Sequence, residues 1–341
     1  MAGSEPSPKI LLAKPGLVTG GPVAGKFGRG GGGDDDSPQL RSRLPSVASL
    51  NLLSDSWDFH IDRFLPFLTE NTDFTVIGVI GPPGVGKSTI MNELYGFDSS
   101  SPETRAMARH CSTGIEPRIS TERIILLDTQ LAVLLASICH ILLVVSEGVH
   151  DDSLWHLMLT VDLLKHGISD PSLMTSSLSQ SSSSGLEKDK LPEHEEYMAT
   201  PVFVHTKLQD QDFTPSNFVQ LRKALMQYFR PSSFVREQNK PEEHVSSSLV
   251  RGSQMDSNLI KFYAIPLKKK DENPSAQHES YVSALWKLRD QILSMKSPSF
   301  TRPVSEREWL KNSAKIWEQV KNSATILEYC RTLQHSGMYR R

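Results

Sequence analysis

Short, nearly continuous apolar runs recur along the middle of the chain and predict buried β-strands. The clearest covers residues 74–80, a run rich in β-branched residues that ends in a Gly-Pro-Pro-Gly turn. Further strand candidates lie at 123–127, 141–145, 202–205 and 262–266. Because these runs are separated by helical patterns, we expect an α/β fold with a mostly parallel sheet and helices on both faces.

Apolar positions with helical spacing predict helices before and between these strands. Residues 57–68 have this spacing, with Asp55 available as an N-cap, and predict an N-terminal helix within 51–72. The stretches 87–94 and 154–165 predict two further helices. The first of them comes directly after the glycine-rich turn, so the pattern there is strand, turn and helix.

A capping-box pattern near the C-terminus predicts a further helix. Ser305 and Glu308 have the spacing of that pattern and precede apolar positions with helical spacing. Trp309 and Trp317 are eight residues apart, and therefore lie on one face of this helix. That face would pack either on the chain's own domain or on a partner subunit.

The first 50 residues differ in composition from the rest of the chain. They are rich in Gly, Pro and Ser, and such a segment cannot bury enough apolar surface to offset the entropy of ordering, so 1–50 is predicted to be disordered. Residues 20–26 match the beginning of a phosphate-binding loop, but Phe27 stands where Ser or Thr is required. No strand precedes it, and we interpret the match as chance.

Two further low-complexity stretches interrupt the ordered part of the chain. The Ser-rich block 172–196 lies between a predicted helix and a predicted strand, and 231–258 is similarly poor in packing residues. Both are predicted to be disordered insertions in one domain rather than domain boundaries. The predicted organisation is therefore one domain over 73–298, and then a C-terminal helix and tail over 299–341.

Composition narrows the function classes. Hydrophobic residues make up 38% and charged residues 22% of the 341 positions, and the formal charge is −2. This nearly neutral net charge argues against a protein that coats nucleic acid. No apolar run approaches the roughly 20 residues that span a bilayer. Three scattered cysteines fit a reducing compartment rather than a disulfide framework. We expect a cytoplasmic protein without direct nucleic-acid or membrane binding.

The strongest chemical signal is a complete P-loop pattern, G-x-x-x-x-G-K-[ST], between the first predicted strand and the next helix. Its glycines let backbone N–H groups converge on a phosphate, and the helix N-terminus adds positive potential. Lys87 can reach the β- and γ-phosphates, and the Ser88 hydroxyl can bind Mg²⁺. The alternative is an ordinary glycine-rich turn. The predicted phosphate-binding residues are Gly81, Gly84, Val85, Gly86, Lys87, Ser88 and Thr89.

A carboxylate at the end of a neighbouring strand is the second element that such a site requires. Asp128 ends the apolar run at 124–127 and can hold Mg²⁺ through water, although an Asp there could also be a helix N-cap. Thr113 could supply a further oxygen to the metal, or be a solvated loop residue. The predicted metal ligands are therefore Ser88, Thr113 and Asp128.

In these motifs the chain resembles translation-factor-like and Ras-like G domains, but two of their motifs are degenerate. The resemblance places an Asp-x-x-Gly motif at Asp128, where Leu131 replaces the glycine. It places Asn/Thr-Lys-x-Asp at Thr206, Lys207 and Gln209, so the carboxylate that specifies guanine is displaced to Asp210. The base-binding candidates are Thr206, Lys207 and Asp210. These motifs do not decide whether the bound base is guanine or adenine.

A closer resemblance is to one degenerate G-domain family, that of the ninth member of the "suppressor with morphogenetic effect on genitalia" group. It rests on an ordered set of motifs that spans about residues 57–335, together with the P-loop and the Ser-rich insertion. They are FLPF at 64–67, CSTGI at 111–115, TERIILLDTQ at 121–130, ICHI at 138–141, LRDQILSM at 288–295, EWL at 308–310 and AKIW at 314–317.

This resemblance implies a nucleotide-binding, non-catalytic subunit in nonsense-mediated mRNA decay. It implies a second G-domain-like decay subunit as heterodimer partner and a phosphatidylinositol-3-kinase-like kinase, with GTP/GDP or ATP/ADP and Mg²⁺ as ligands. Two alternative functions stay open. The chain could be an active small P-loop GTPase or ATPase, or an interaction module that binds no nucleotide. The chain departs from the family after Asp128, where a crossover of twelve residues, 129–140, makes it a shortened form without room for a switch loop.

Overall fold

Six strands form one sheet at the centre of the described residues. The computed structural model describes residues 51–54, 56–95, 115–120, 123–129, 131–174, 197–236, 260–269, 279–295 and 299–336, which all belong to one unit that runs from Val47 to Arg341. The strands are β1 (Thr75–Ile80), β2 (Glu116–Ile119), β3 (Ile124–Asp128), β4 (Ile141–Glu147), β5 (Thr200–Leu208) and β6 (Lys261–Pro266).

The strand order confirms the predicted fold class. It is β2-β3-β1-β4-β5-β6, in which β2 and β3 are antiparallel and the other neighbouring pairs are parallel. The helices are α1 (Lys87–Tyr95), α2 (Ala132–Ile138), α3 (Asp152–Leu164), α4 (Pro215–Tyr228), α5 (Ser233–Arg236), α6 (Tyr281–Leu293), α7 (Glu306–Asn322) and α8 (Ala324–His335). The protein is thus a mostly parallel α/β domain with helices on both faces of the sheet.

Hydrophobic side chains cover both faces of the sheet, as near-continuous apolar strands require. One face packs on α1 and α6, through residues such as Ile77, Leu143 and Leu285. The other packs on α2, α3, α4, α7 and the segment around 52–68. Because a parallel sheet buries both faces, alternation of apolar and polar residues is absent from β1, β3 and β4.

The edge strand β2 has no counterpart among the strands predicted from apolar patterning. It has four residues and contains Pro117, which lacks a backbone N–H and is found at sheet edges. Its antiparallel pairing with β3 places it at one end of the sheet. A short edge strand buries too little apolar surface to leave a recognisable run in the sequence.

The predicted N-terminal helix within 51–72 is wrong. Between 57 and 68 the structure has only a 3-10 turn at Leu65–Phe67, and Trp57 has a left-handed backbone with φ of 66°. Pro66 removes a helical N–H donor and restricts the residue before it. The apolar side chains of this segment nevertheless pack into the core, since Phe64 and Leu68 are 1% exposed.

The crossover from β3 to β4 is as short as predicted, and it is covered by α7. Its helix α2 has seven residues, of which six are buried. The indole N–H of Trp309 on α7 donates to the carbonyl of Ile138 at 2.8 Å. The Trp309 face of α7 therefore packs on the chain's own domain, the first of the two alternatives considered.

Ser305 is the N-cap of α7, as the pattern predicts, and the next residue attaches the segment that precedes β1. The Ser305 side chain accepts a hydrogen bond from the backbone N–H of Glu308 at 3.2 Å. The buried carboxylate of Glu306 accepts from both the backbone N–H and the hydroxyl of Thr69. Several predicted segments lie outside the described residues. They are the disordered region 1–50, with the chance match at 20–26, and most of the insertions at 172–196 and 231–258.

Two buried histidines make the folded state sensitive to acid. Burial lowers the pKa of His140 and of His205 from 6.5 to about 4, and His140 Nδ1 accepts a hydrogen bond from the backbone N–H of Val76 at 2.9 Å. Below pH 6.5 the unfolded chain binds protons at these residues that the folded chain does not, so stability is lost as the pH falls towards 4. Above pH 6.5 neither residue contributes to this pH dependence.

We expect the free energy of unfolding to fall between pH 6.5 and 4 by up to about 1.4 kcal/mol per pH unit for each histidine. Urea unfolding at a series of pH values measures this slope. His140→Gln keeps an acceptor for the Val76 N–H but cannot titrate, so its slope should be shallower by the contribution of one histidine. An unchanged slope in this variant would contradict the assignment.

Candidate phosphate-binding site

The parallel strands bring the predicted site residues to one edge of the sheet. Because β1, β3, β4, β5 and β6 run in the same direction, their carboxyl ends lie along the same edge. The P-loop comes after β1 at this edge, Asp128 ends β3, and Thr206 lies near the end of β5. In open α/β sheets ligands bind at this edge.

The P-loop backbone depends on glycine at three positions. Gly81, Gly84 and Gly86 have φ angles of 150°, 82° and 100°, which other residues rarely adopt. At Gly81 the loop also runs against β4, where a Cβ atom would lie 2.1 Å from the carbonyl oxygen of Val145. The turn therefore needs glycine at residue 81 for conformation and for space.

Lys87 lies over the P-loop. Its ammonium donates to the carbonyl oxygens of Gly81 and Pro82, each at 2.8 Å. Lys87 is also the first residue of α1, where backbone N–H groups of the first turn have no helical acceptor. Positive charge and N–H donors thus converge at one point, an arrangement suited to a phosphate group.

Ser88 and Thr89 continue the first turn of α1 and are half-buried. Val85 is buried, and its carbonyl accepts a hydrogen bond from Thr206 on β5. The helix α1 that follows the loop shares one hydrophobic cluster with α6. The loop is therefore held by the sheet, and the helix that follows it by α6.

Asp128 is half-buried at the end of β3, with Val79 of β1 and Glu116 of β2 as its strand neighbours. It is not the cap of α2, because that helix has Leu131 as N-cap without a side-chain capping bond. Ser88 and Asp128 thus lie at the same edge of the sheet and could hold Mg²⁺. Thr113, the third predicted ligand, lies outside the described residues.

Thr206 contacts the P-loop rather than open solvent. Its hydroxyl is within hydrogen-bonding distance of two carbonyl oxygens, that of Val85 at 2.7 Å and that of Ser146 at 3.0 Å. The side chain is buried. Thr206 therefore links the ends of β4 and β5 to the P-loop, and the structure brings it to the predicted site in this supporting position.

Lys207 and Asp210, the other base-binding candidates, are half-exposed and form ion pairs. Lys207 has a left-handed backbone with φ of 57°, and its ammonium lies 2.6 Å from the Glu147 carboxylate. The ammonium of Lys269 lies 2.8 Å from both carboxylate oxygens of Asp210. This second pair joins the loop after β5 to the loop after β6.

Glu147, Lys269 and Tyr281 have no place in the motifs that predicted the site. The ion pairs of Glu147 and Lys269 join residues that are 60 and 59 positions apart along the chain, and Tyr281 lies beside Lys268, outside every motif. The lysine run that comes directly after β6 is a signal that could have drawn attention to Lys269. Neither Glu147 nor Tyr281 had a comparable signal.

Two further properties of the described residues bear on other functions. Within that part of the chain, no three His, Cys, Asp or Glu side chains come together as a cluster that could hold a metal ion. None of the described helices has the length and apolar character needed to cross a membrane.

Comparison with curated proteins confirms the resemblance expected from the ordered motifs. The chain is 27% and 26% identical over 339 residues to the nonsense-mediated mRNA decay factors SMG9 of Xenopus laevis and Xenopus tropicalis, and 25% identical over 350 residues to that of Salmo salar. The alignments cover 80%, 80% and 83% of this chain. The chain spans 64% of the length of each Xenopus relative. No protein-family model matches it.

Among solved structures, the chain is similar to the GTPase-like domain of S. cerevisiae Ski7, crystallised with GTP. The identity is 14%, the TM-score is 0.30, and the match covers 65% of this chain and 50% of that chain. The fold assignment rests on the strand order and on the position of the P-loop.

Proposed function

We propose that this protein is a nucleotide-binding, non-catalytic regulatory subunit in nonsense-mediated mRNA decay. The P-loop geometry carries the proposal, because Lys87 and the first turn of α1 converge where a phosphate would bind. The similarity to factors named for nonsense-mediated mRNA decay supports the biological setting. The proposed ligands are GTP/GDP or ATP/ADP with Mg²⁺.

Ser88 and Asp128 would hold the metal, together with Thr113. Bound Mg²⁺ would neutralise negative charge on the nucleotide phosphates. The chain itself supplies N–H donors from the P-loop and α1, and the Lys87 ammonium binds phosphate oxygens. These groups bind and orient a nucleotide without requiring hydrolysis.

The crossover after Asp128 supports a non-catalytic role. In a G domain that hydrolyses GTP, the loop after this aspartate moves with the γ-phosphate. Here Leu131 replaces the glycine of that loop, α2 begins at the next residue, and Trp309 of α7 is bonded to the end of α2. A helix buried in this way has no space for such a movement.

The proposed partners are a second G-domain-like decay subunit, as heterodimer, and a phosphatidylinositol-3-kinase-like kinase. The family resemblance supports both partners, and the proposal places the protein in the cytoplasm. Co-purification from cells tests it, with the Lys87→Ala variant beside the unmodified chain. Retention of neither the kinase nor a G-domain-like subunit would contradict the proposed role.

An interaction module with an empty P-loop is the second candidate. The observation that favours it is that the Lys87 ammonium is already bonded to two carbonyls of its own loop. A phosphate must displace these contacts to bind Lys87. Titration calorimetry with Mg²⁺-bound GTP, GDP, ATP and ADP separates the candidates, because saturable binding of any of the four excludes an empty loop.

We expect the nucleotide that binds to raise the melting temperature, and Lys87→Ala to abolish most of this increase. A ligand at about one hundred times its Kd stabilises the folded state by about 2.7 kcal/mol. Loss of the Lys87 ammonium should weaken binding roughly ten- to hundredfold, because each hydrogen bond to a charged group contributes about 1.5–3 kcal/mol. Calorimetry and thermal unfolding with and without nucleotide measure both effects.

Lys223→Ala is the matched control, since it removes an exposed lysine in the second half of α4. It should leave the nucleotide affinity unchanged. A P-loop role for Lys87 would be contradicted if both variants bound nucleotide as the unmodified chain does. Steady-state turnover that Lys87→Ala abolishes would instead support the alternative of an active NTPase.

A further inference from the structure

The loop that comes after β5 is held in a fixed shape by its own residues. Asp210–Phe213 form a 3-10 turn, in which the side chains of Gln209 and Asp212 each accept a hydrogen bond from the other's backbone N–H. The side-chain amide of Asn217 on α4 donates to the carbonyls of Gln211 and Asp212. The backbone of this loop is therefore fixed, and Gln209 is turned back on its own loop.

Asp210 is the first residue of this turn, and both of its carboxylate oxygens are bonded to the loop after β6. The Lys269 ammonium donates to Oδ1 and to Oδ2, each at 2.8 Å. The backbones of the two loops are also joined, because the N–H of Leu267 donates to the carbonyl of Leu208 at 2.8 Å. The ion pair therefore closes between two loops that already lie side by side.

The ends of β5 and β6 lie on the side of the P-loop that the proposed metal ligand leaves open. The strand order places β3 on one side of β1, and β4, β5 and β6 on the other. Asp128 ends β3 and would hold the metal on that side. A nucleotide with its phosphates at the P-loop thus extends its base along the sheet edge towards Asp210.

A carboxylate distinguishes the two purine bases by hydrogen bonding. Guanine carries adjacent N–H donors on its ring N1 and its exocyclic amine, and one carboxylate can accept from both. Adenine has an acceptor at ring N1, which a carboxylate repels. Because a bidentate contact uses both carboxylate oxygens, guanine and the Lys269 ammonium compete for the same atoms of Asp210.

We propose that Lys269 is a specificity-determining residue of the nucleotide site, which lowers the preference for guanine by competing for the Asp210 carboxylate. The inference rests on the proposed function. Guanine must displace the ammonium to bind both oxygens, whereas adenine binds without breaking the pair. The side chains of Lys269 and Asp210 are 49% and 45% exposed, and such a pair is weak and screened by salt. Lys269 therefore adjusts the base preference without abolishing it.

The ratio of the dissociation constants of ADP and GDP tests this inference. Both are measured with Mg²⁺ by competition against N-methylanthraniloyl-ADP, so that changes in phosphate binding cancel in the ratio. Lys269→Met keeps the apolar stem without the charge. It should raise the affinity for GDP relative to ADP about two- to fivefold, the effect of one half-exposed ion pair. In the Asp210→Asn background, Lys269→Met should leave the ratio unchanged, because no carboxylate is left to compete for.

Salt provides a second readout of the same competition. Ions screen the exposed pair, so the relative affinity of the unmodified chain for GDP should rise between about 0.05 and 0.5 M salt. In Lys269→Met the ratio should not depend on salt. Lys287→Met is the matched control, because it removes a pair with Glu279 whose side chains are 57% and 48% exposed. It should leave the ratio as it is in the unmodified chain.

An unchanged ratio in Lys269→Met would overturn the inference, as would an increase of the same size in the Asp210→Asn background. Either result, with nucleotide still bound, would leave the proposed function intact. If the unmodified chain binds neither ADP nor GDP, the proposed function itself fails, and this inference fails with it.

Discussion

Replacement of Trp309 by alanine is expected to lower the free energy of unfolding by about 3–5 kcal/mol, the cost of truncating a buried aromatic side chain. Trp309 is 0% exposed on α7. Its indole packs edge-on against Phe74, with 6.1 Å between the ring centres, and donates to the Ile138 carbonyl. The substitution leaves a cavity between α7 and α2 and an unpaired carbonyl at the end of α2. Chemical denaturation measures the loss.

Two variants separate the contributions of volume and hydrogen bonding. Trp309→Phe keeps most of the apolar volume but removes the N–H donor, so it should lose about 1–3 kcal/mol for the unsatisfied Ile138 carbonyl. Trp57→Ala is the exposed control, since Trp57 is 50% exposed and stacks on Trp317. It should lose about 0.5–1.5 kcal/mol, the value of an aromatic pair. Equal losses for Trp57→Ala and Trp309→Ala would contradict the packing of α7 on the crossover.

Replacement of Gly81 by alanine is expected to abolish nucleotide binding and to destabilise the fold. The new Cβ atom would lie 2.1 Å from the Val145 carbonyl oxygen, and the φ of 150° is unfavourable for alanine. Backbone strain of about 1–3 kcal/mol and a similar overpacking cost apply at such a position. Because the atom that it meets belongs to the backbone of β4, the P-loop must move, and its N–H groups then no longer converge. Calorimetry and denaturation measure the two effects.

Gly84→Ala is the control for this experiment. Gly84 also has a positive φ, 82°, but a Cβ atom there would meet nothing within 4 Å. Its substitution should therefore cost only the left-handed backbone conformation, roughly 1–2 kcal/mol. If Gly81→Ala destabilised the protein no more than Gly84→Ala does, the close approach of the P-loop to β4 would not matter.

The pattern of apolar residues predicted the central strands of the sheet but not all of its elements. Residues 74–80, 141–145 and 202–205 correspond to β1, β4 and β5, because each central strand must bury side chains on both faces. The pattern failed at the edge strand β2 and at 57–68. In the second case apolar spacing reflected burial in the core rather than helix formation, and Pro66 limited the helix to one 3-10 turn.

The candidate site likewise contains residues that a local motif predicts and contacts that only the folded chain makes. The P-loop is a local motif, so the spacing of its glycines and Lys87 along the chain was enough to predict it. The contacts of Thr206 with Val85 and of Lys269 with Asp210 join distant segments. Because sheet order and helix direction decide which segments meet, these contacts had no signature within a window of sequence.

The sequence alone determined the fold class, the P-loop and the short crossover after Asp128, since each depends on residue type and spacing within about a dozen positions. Only the tertiary structure decided that α7 covers that crossover and that Lys207 and Asp210 form ion pairs with Glu147 and Lys269. Burial of a side chain and the identity of its partner are properties of the packed chain. They depend on which distant surfaces the sheet brings together.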